Sequence, residues 1–186
     1  MYLRAIHAEP SIPALKAFIA ANPLGLLTTA LPSTDPSHHF IQTSHIPWVL
    51  DDPSPDTDDL PILRGHIARQ NPHAKVFIEH AAANPGKPFT FQQEVMIRDL
   101  SNKAETEISK HEKPWEVDDA PEKYIELLRK NIIGIEIKVQ HLGGKHKMSQ
   151  EMGKEDREGV AQGFEDMKTE TGDYIAKTVR EKGQLK

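Results

Sequence analysis

The sequence predicts an α+β fold built around a small β-barrel, on three observations. Extended and helical patterns are interspersed without the regular strand–helix alternation of a doubly wound sheet, and no internal repeat is present. The segment 40–50 alternates as a strand yet is apolar on both faces, with Ile41 and Val49 beside Thr43 and His45 on one, and Phe40, Ile46 and Trp48 beside Gln42 and Ser44 on the other. Such a strand belongs in a barrel or under a covering layer rather than in an open, solvated sheet. Finally, 186 residues suffice to bury a core without disulfides or a structural metal, which suits a single main domain.

The elements follow in order. Ser11 caps a short amphipathic helix that reaches Ala20, with Pro13 in its first turn and Leu15, Phe18 and Ile19 on one face. Asn22-Pro23 ends it, because proline moves the residue before it out of helical space. Residues 24–29 read as a strand, and the turn-rich stretch 32–37 leads into the strand 40–50. Residues 51–59 hold five aspartates and two prolines, so an exposed acidic loop is expected. Extended structure resumes over 61–68, Asn71-Pro72 breaks it, and a further strand is expected at 75–80.

In the stretch 81–119, Phe89 and Phe91 suit the start of a strand, while Met96, Leu100, Ala104 and Ile108 recur every four residues and favour a helix, which is the reading taken. Asp118-Asp119-Ala120-Pro121-Glu122 supplies caps and early acidic residues for another, with Tyr124, Ile125 and Leu128 as its buried face and Arg129 and Lys130 at its C-terminal end. Residues 132–139 form a strand with one face in the core, and Gly143-Gly144 makes a turn. Val160, Phe164, Met167, Ile175 and Val179 space out a helical region over 156–182, with a break expected at Thr171-Gly172. This divides the chain into a main domain, 1–170, and a C-terminal helical tail, 171–186.

Composition excludes several classes of function. There is no cysteine, hence no disulfide scaffold, zinc ribbon, iron–sulfur site or thiol nucleophile. No apolar stretch approaches the roughly 20 residues of a membrane span, so no membrane partner is expected, and a soluble cytoplasmic protein (nuclear as well, in a eukaryote) is. A formal charge of −5, from 23 basic and 28 acidic side chains, leaves no overall electrostatic footprint for nucleic acid. The ten histidines lack a metal-binding spacing, there is no Gly-x-Ser-x-Gly elbow, and no Walker or dinucleotide-binding glycine loop occurs. Ser44 and His45, as neighbours on a strand, point to opposite faces and cannot act together as nucleophile and base.

Two compact polar clusters remain. In Gly143-Gly144-Lys145-His146-Lys147-Met148-Ser149-Gln150, glycines permit close backbone approach to an anion, and Lys145, Lys147 and Ser149 share one side of an extended segment. A solvated basic turn has the same composition. In Gly65-His66-Ile67-Ala68-Arg69-Gln70-Asn71-Pro72, His66 and Arg69 are suited to a ring edge or a phosphate, and a strand end with a capping turn reads equally well.

These clusters, with Met1-Tyr2 and Thr43-Ser44-His45-Ile46-Pro47, resemble the PaiB-like family of FMN-binding negative transcriptional regulators, whose fold is a flavin-type split β-barrel. The order of motifs carries the likeness: Phe18-Ile19-Ala20-Ala21-Asn22-Pro23, then Ser44-His45-Ile46-Pro47, then residues 63–72, then Gly144-Lys145-His146-Lys147-Met148-Ser149-Gln150 with Asp156-Arg157-Glu158-Gly159-Val160. Matches span residues 1–80 and 112–170. The resemblance implies a split barrel with flanking helices, working as a homodimer with FMN at the subunit junction. It implies that Lys145, Lys147, Ser149 and Gln150 form a C-terminal polar group for the cofactor, and that Ser44, His45, Gly65, His66 and Arg69 line the site from the N-terminal half. DNA as a partner follows from the family alone, since no recognition helix is visible.

The sequence departs from the family pattern at one place. Between Lys87 and Pro114 the family has further barrel strands, including an aromatic segment of the Pro-Thr-Trp-Asn-Tyr kind, and here the chain passes directly from Met96 to Ile97. The expected barrel is therefore short of some central strands, with about five strands and an open edge. The alternatives are a flavin-dependent oxidoreductase on the same barrel, a haem-binding relative with His45 or His66 on the iron, and a cofactor-free dimeric interaction module.

Overall fold

The computed structural model describes residues 3–85 and 115–183. In chain order the elements are β1 (Ala8–Glu9), α1 (Ile12–Ala21), β2 (Leu24–Ala30), β3 (Ile41–Asp51), β4 (Ile62–Ala68), α2 (Pro72–Ala83), α3 (Glu122–Asn131), β5 (Ile132–Lys138), β6 (Gly144–Lys145), α4 (Lys154–Glu165) and α5 (Glu170–Gly183). The architecture is mixed α+β, with two antiparallel sheets and five α-helices among the described residues. The chain divides into two units, one of residues 16–141 and one of residues 1–15 and 142–186. The expected helical stripe through Met96, Leu100, Ala104 and Ile108, and the Met96–Ile97 junction, lie outside the described residues.

In the unit 16–141, an antiparallel sheet has the order β2-β3-β4-β5. Among the described residues these strands do not close into a barrel. Side-chain alternation gives the sheet a core face, where Ile46, Trp48, Ile67, Ile133 and Ile135 pack against Ala74 and Phe77 of α2. Trp48 fixes the local spacing. It pairs in register with Gly65, where an added Cβ would come within 2.6 Å of Ile46 Cγ2 and 2.8 Å of Trp48 Cε3. On the other flank, a Cβ on Gly25 would stand 3.0 Å from Trp48 Cδ1. The two glycines of neighbouring strands thus make room for one indole.

Helix α2 replaces the strand expected at 75–80. Asn71 accepts the His73 backbone N–H at 2.9 Å and Pro72 follows at the first helical position, so the pair that looked like a breaker is a helix start. The buried positions His73, Ala74, Val76 and Phe77 have helical spacing. Helix α3 forms where expected, but Asp119 lies in a preceding 3-10 turn, Val117–Asp119, and accepts from the Glu116 N–H at 2.9 Å. Its expected buried face is shallower: Tyr124 is exposed, Ile125 and Leu128 are half-buried, and no residue of the helix is fully buried.

The acidic loop is mostly exposed, with one exception. Asp52 and Lys16 of α1 are both buried, the Nζ lying 3.1 Å from Asp52 Oδ2 and donating to the Ser54 carbonyl at 2.8 Å. A carboxylate in such a loop packs inside because an ammonium group meets it there.

In the other unit, β1 and β6 pair as Ala8↔Lys145 and Glu9↔Gly144, so Gly144 is in a strand rather than a turn. Leu15 occupies the space that a side chain at Gly144 would need. Helices α4 and α5 pack through Ala161, Ala176 and Val179, with Met148, Val160, Phe164 and Ile175 at the edge. The break between them comes before Thr171-Gly172: Lys168 takes a φ of 51°, and Gly172 is a buried helical residue set against the Phe164 carbonyl. Arg180 bridges the pair, donating to Glu158 and Glu165 at 2.6 Å each.

Candidate cofactor site

Strand alternation sorts the candidate residues of the unit 16–141. Ser44 and Gly65 lie on the core face. Gly65 is accounted for by Trp48, as above, and the Ser44 hydroxyl lies 3.0 Å from Nδ1 of His73. His73 is 1% exposed, holds Thr29 Oγ1 at 2.7 Å through Nε2, and stacks on Phe77 with ring centroids 4.6 Å apart. Burial lowers its pKa, so the ring is neutral at pH 7 and each nitrogen has one hydroxyl partner. Sequence reasoning missed His73 as a polar hub; its signal was a position two residues after a capping asparagine.

The opposite face carries His45 and His66. His45 is exposed on β3, whereas His66 is half-buried on β4, opposite Gly134 of β5. Nδ1 of His66 is buried without a hydrogen-bond partner, and burial lowers the ring's pKa. A buried polar atom left without a partner is costly, and a bound ligand, ion or water is one way of completing it. Two residues earlier on the same face, Arg64 meets Asp51 at 2.7 Å and Glu136 at 3.4 Å, so its charge is already matched. Farther along this face Leu24, Leu26 and Ile41 are exposed.

Arg69, just past β4, is exposed and lines a cleft of about 560 Å³ with Glu126, Arg129 and Lys130 of α3. Sequence reasoning named Arg69 but placed Arg129 and Lys130 only as helix-terminal cations.

The C-terminal candidates belong to the unit 1–15 and 142–186. Lys145 and Lys147 alternate outward from the β6 segment and are exposed, with Lys147 3.7 Å from Glu151. Ser149 adopts a φ of 58°, which turns the chain into the following bend. Gln150 is 3% exposed and braces that bend: Oε1 accepts the Met148 N–H at 2.7 Å, Nε2 donates to the His146 carbonyl at 2.8 Å, and His7 Nδ1 lies 3.2 Å from Oε1. Glu9, nearby, bonds Lys182 and lies 3.4 Å from His146 Nε2. The Lys182 ammonium, foremost, holds the Glu9 carboxyl below its usual range.

A sequence model of the family described as "Putative FMN-binding domain" matches this chain over residues 1–92 and 86–141. The chain belongs to this FMN-binding family. It is also 41% identical to an uncharacterised protein of Aspergillus fumigatus, over all of this chain and 99% of the relative. It is equally similar, at 41%, to an uncharacterised protein of Emericella nidulans with the same coverage. The first alignment runs over 260 positions against the 186 residues of this chain, so the Aspergillus protein carries stretches with no counterpart here. Membership supports flavin as the cofactor of this FMN-binding family member and gives no support to haem. Among the described residues no helix is long and apolar enough to cross a membrane.

Proposed function

We propose that this member of the FMN-binding family binds FMN, with His66 as the candidate contact for the cofactor's ring edge in the unit 16–141; in the other unit, Lys145, Lys147 and Ser149 are the phosphate candidates that the family resemblance implies. The observation that carries the reading is the buried, unpartnered Nδ1 of His66 on a sheet face that also bears His45. A neutral imidazole carries one donor and one acceptor, and a flavin ring edge offers partners for both. The exposed pair Lys145 and Lys147 suits a phosphate, which carries about −1.5 to −2 charges near pH 7. Ser44, Gly65 and Gln150 are left out of direct contact because their surroundings already account for them. Bound FMN supplies electron or hydride transfer, and the protein supplies position and electrostatics.

The family-derived reading adds a homodimer that regulates transcription. The exposed apolar residues Leu24, Leu26 and Ile41, each more than 60% accessible, support burial of this face by a second copy. A net charge of −5 supplies no broad basic face, so the regulator reading rests on the family resemblance alone. Titration of the purified chain with FMN and with riboflavin, followed by flavin fluorescence, tests the cofactor reading. Saturable quenching by FMN, weaker for riboflavin and weakened again by His66→Phe, is expected; no saturation with either flavin contradicts it.

A further inference from the structure

Pairing of β4 with β5 sets Ala68 opposite Ile132, and the next residue, Arg69, donates its N–H to the Asn131 carbonyl at 2.9 Å. That junction places Arg69 beside the last turn of α3, where Arg129 and Lys130 are adjacent in sequence. The three cations and Glu126 line one cleft of about 560 Å³, within the range of small-molecule sites. Among the described residues neither Arg69, Glu126 nor Lys130 makes a salt bridge, although Glu126 and Lys130 are four apart on the helix. Among the described residues, Arg69 and Lys130 thus bring two cations to the lining of this cleft.

Cations at a helix C-terminus are ordinarily explained by the negative end of the helix dipole. That explanation accounts for the presence of cations here, Arg69 included, but not for the concavity that they line together. Carbonyls at that end are also taken by other donors: Asn131 by the Arg69 N–H, and Leu127 by Asn131 Nδ2 at 2.9 Å. Arg69 and Lys130, which make no salt bridge among the described residues, meet at one concavity, and a guanidinium fork matches phosphate oxygens two at a time. We propose that this cleft binds a phosphorylated small molecule, distinct from the FMN contacts assigned above, with Arg69 and Lys130 as principal phosphate contacts and Arg129 as the third cation.

The test is calorimetric titration of the full chain with inorganic pyrophosphate at fixed ionic strength. Saturable binding is expected, weakened about tenfold or more in R69Q/K130Q. Both glutamine substitutions fall on exposed positions, and an unchanged thermal melt shows that the fold is kept. Absence of pyrophosphate binding by the unsubstituted chain, or equal binding by R69Q/K130Q, overturns the proposal. FMN titrations on the same variant separate the two sites: R69Q/K130Q is expected to keep its FMN affinity. A loss of FMN affinity in that variant, with FMN displacing pyrophosphate, reduces the cleft to part of the FMN site and overturns a second one. A chain that binds pyrophosphate but not FMN sustains the cleft and defeats only the cofactor reading.

Discussion

The Ser44 hydroxyl and the His73 imidazole lie 3.0 Å apart, and that bond ties strand β3 to helix α2. Because Nε2 of the same ring holds Thr29 at 2.7 Å, one buried histidine links three elements. His73→Ala removes a stacked ring and strands two hydroxyls, so it is expected to cost about 2–4 kcal/mol in denaturant unfolding, against about 1 kcal/mol for Ser44→Ala. Equal costs for the two would mean that the ring contributes little beyond that one bond.

Stability should fall as the pH drops below 6.5. His66 and His73 both have pKa values lowered by burial, so the unfolded chain binds protons that the folded chain refuses. Their contribution is complete above the unfolded value of 6.5 and is lost as pH falls through the lower folded values. The carboxyls held low by cations, Glu9 by Lys182 and Glu158 and Glu165 by Arg180, lose their contribution only below about 4.5, outside this window. Melting temperatures between pH 7.5 and 5.5 should decline, and decline less in H66A/H73A. A rise in melting temperature towards pH 5.5 would contradict the assignment.

Gly65→Ala is expected to cost about 1–3 kcal/mol, since the new methyl group must displace Ile46 or Trp48 from a packed face. Gly25→Ala, whose methyl meets only the edge of the indole at 3.0 Å, should cost less. Denaturant midpoints rank the pair, and the reverse order would show that Trp48 yields away from β4.

Lys16→Ala leaves Asp52 buried without its cation and is expected to cost about 3–5 kcal/mol, while the double substitution with Asp52→Ala should recover part of that loss. A double-mutant cycle measures the coupling. Strict additivity would mean that the ammonium group acts through packing alone.

Much of the fold was legible where periodicity and capping agree, as in β2 to β4, β5 and α1. Asn71-Pro72 misled because the same dipeptide ends one element and starts another, and only the side-chain bond from Asn71 to the His73 N–H decides. Lys16 and Asp52 were unreadable for a different reason: burial of a charge depends on a partner 36 residues away. In the candidate site, strand alternation correctly set Ser44 and His45 on opposite faces. It could not show that Ser44 is bound to His73, or that the polar ends of Gln150 are turned onto its own loop. Arg69 was visible as a cation, whereas its neighbours Arg129 and Lys130 depend on the register of β4 with β5.

The most direct measurement is calorimetric titration of FMN into the purified full chain and into K145A/K147A. The account predicts one saturable site per chain with a Kd below about 100 μM, weakened about tenfold or more in the double variant. Unaltered FMN affinity without those two lysines, or no binding by the unsubstituted chain, would contradict it.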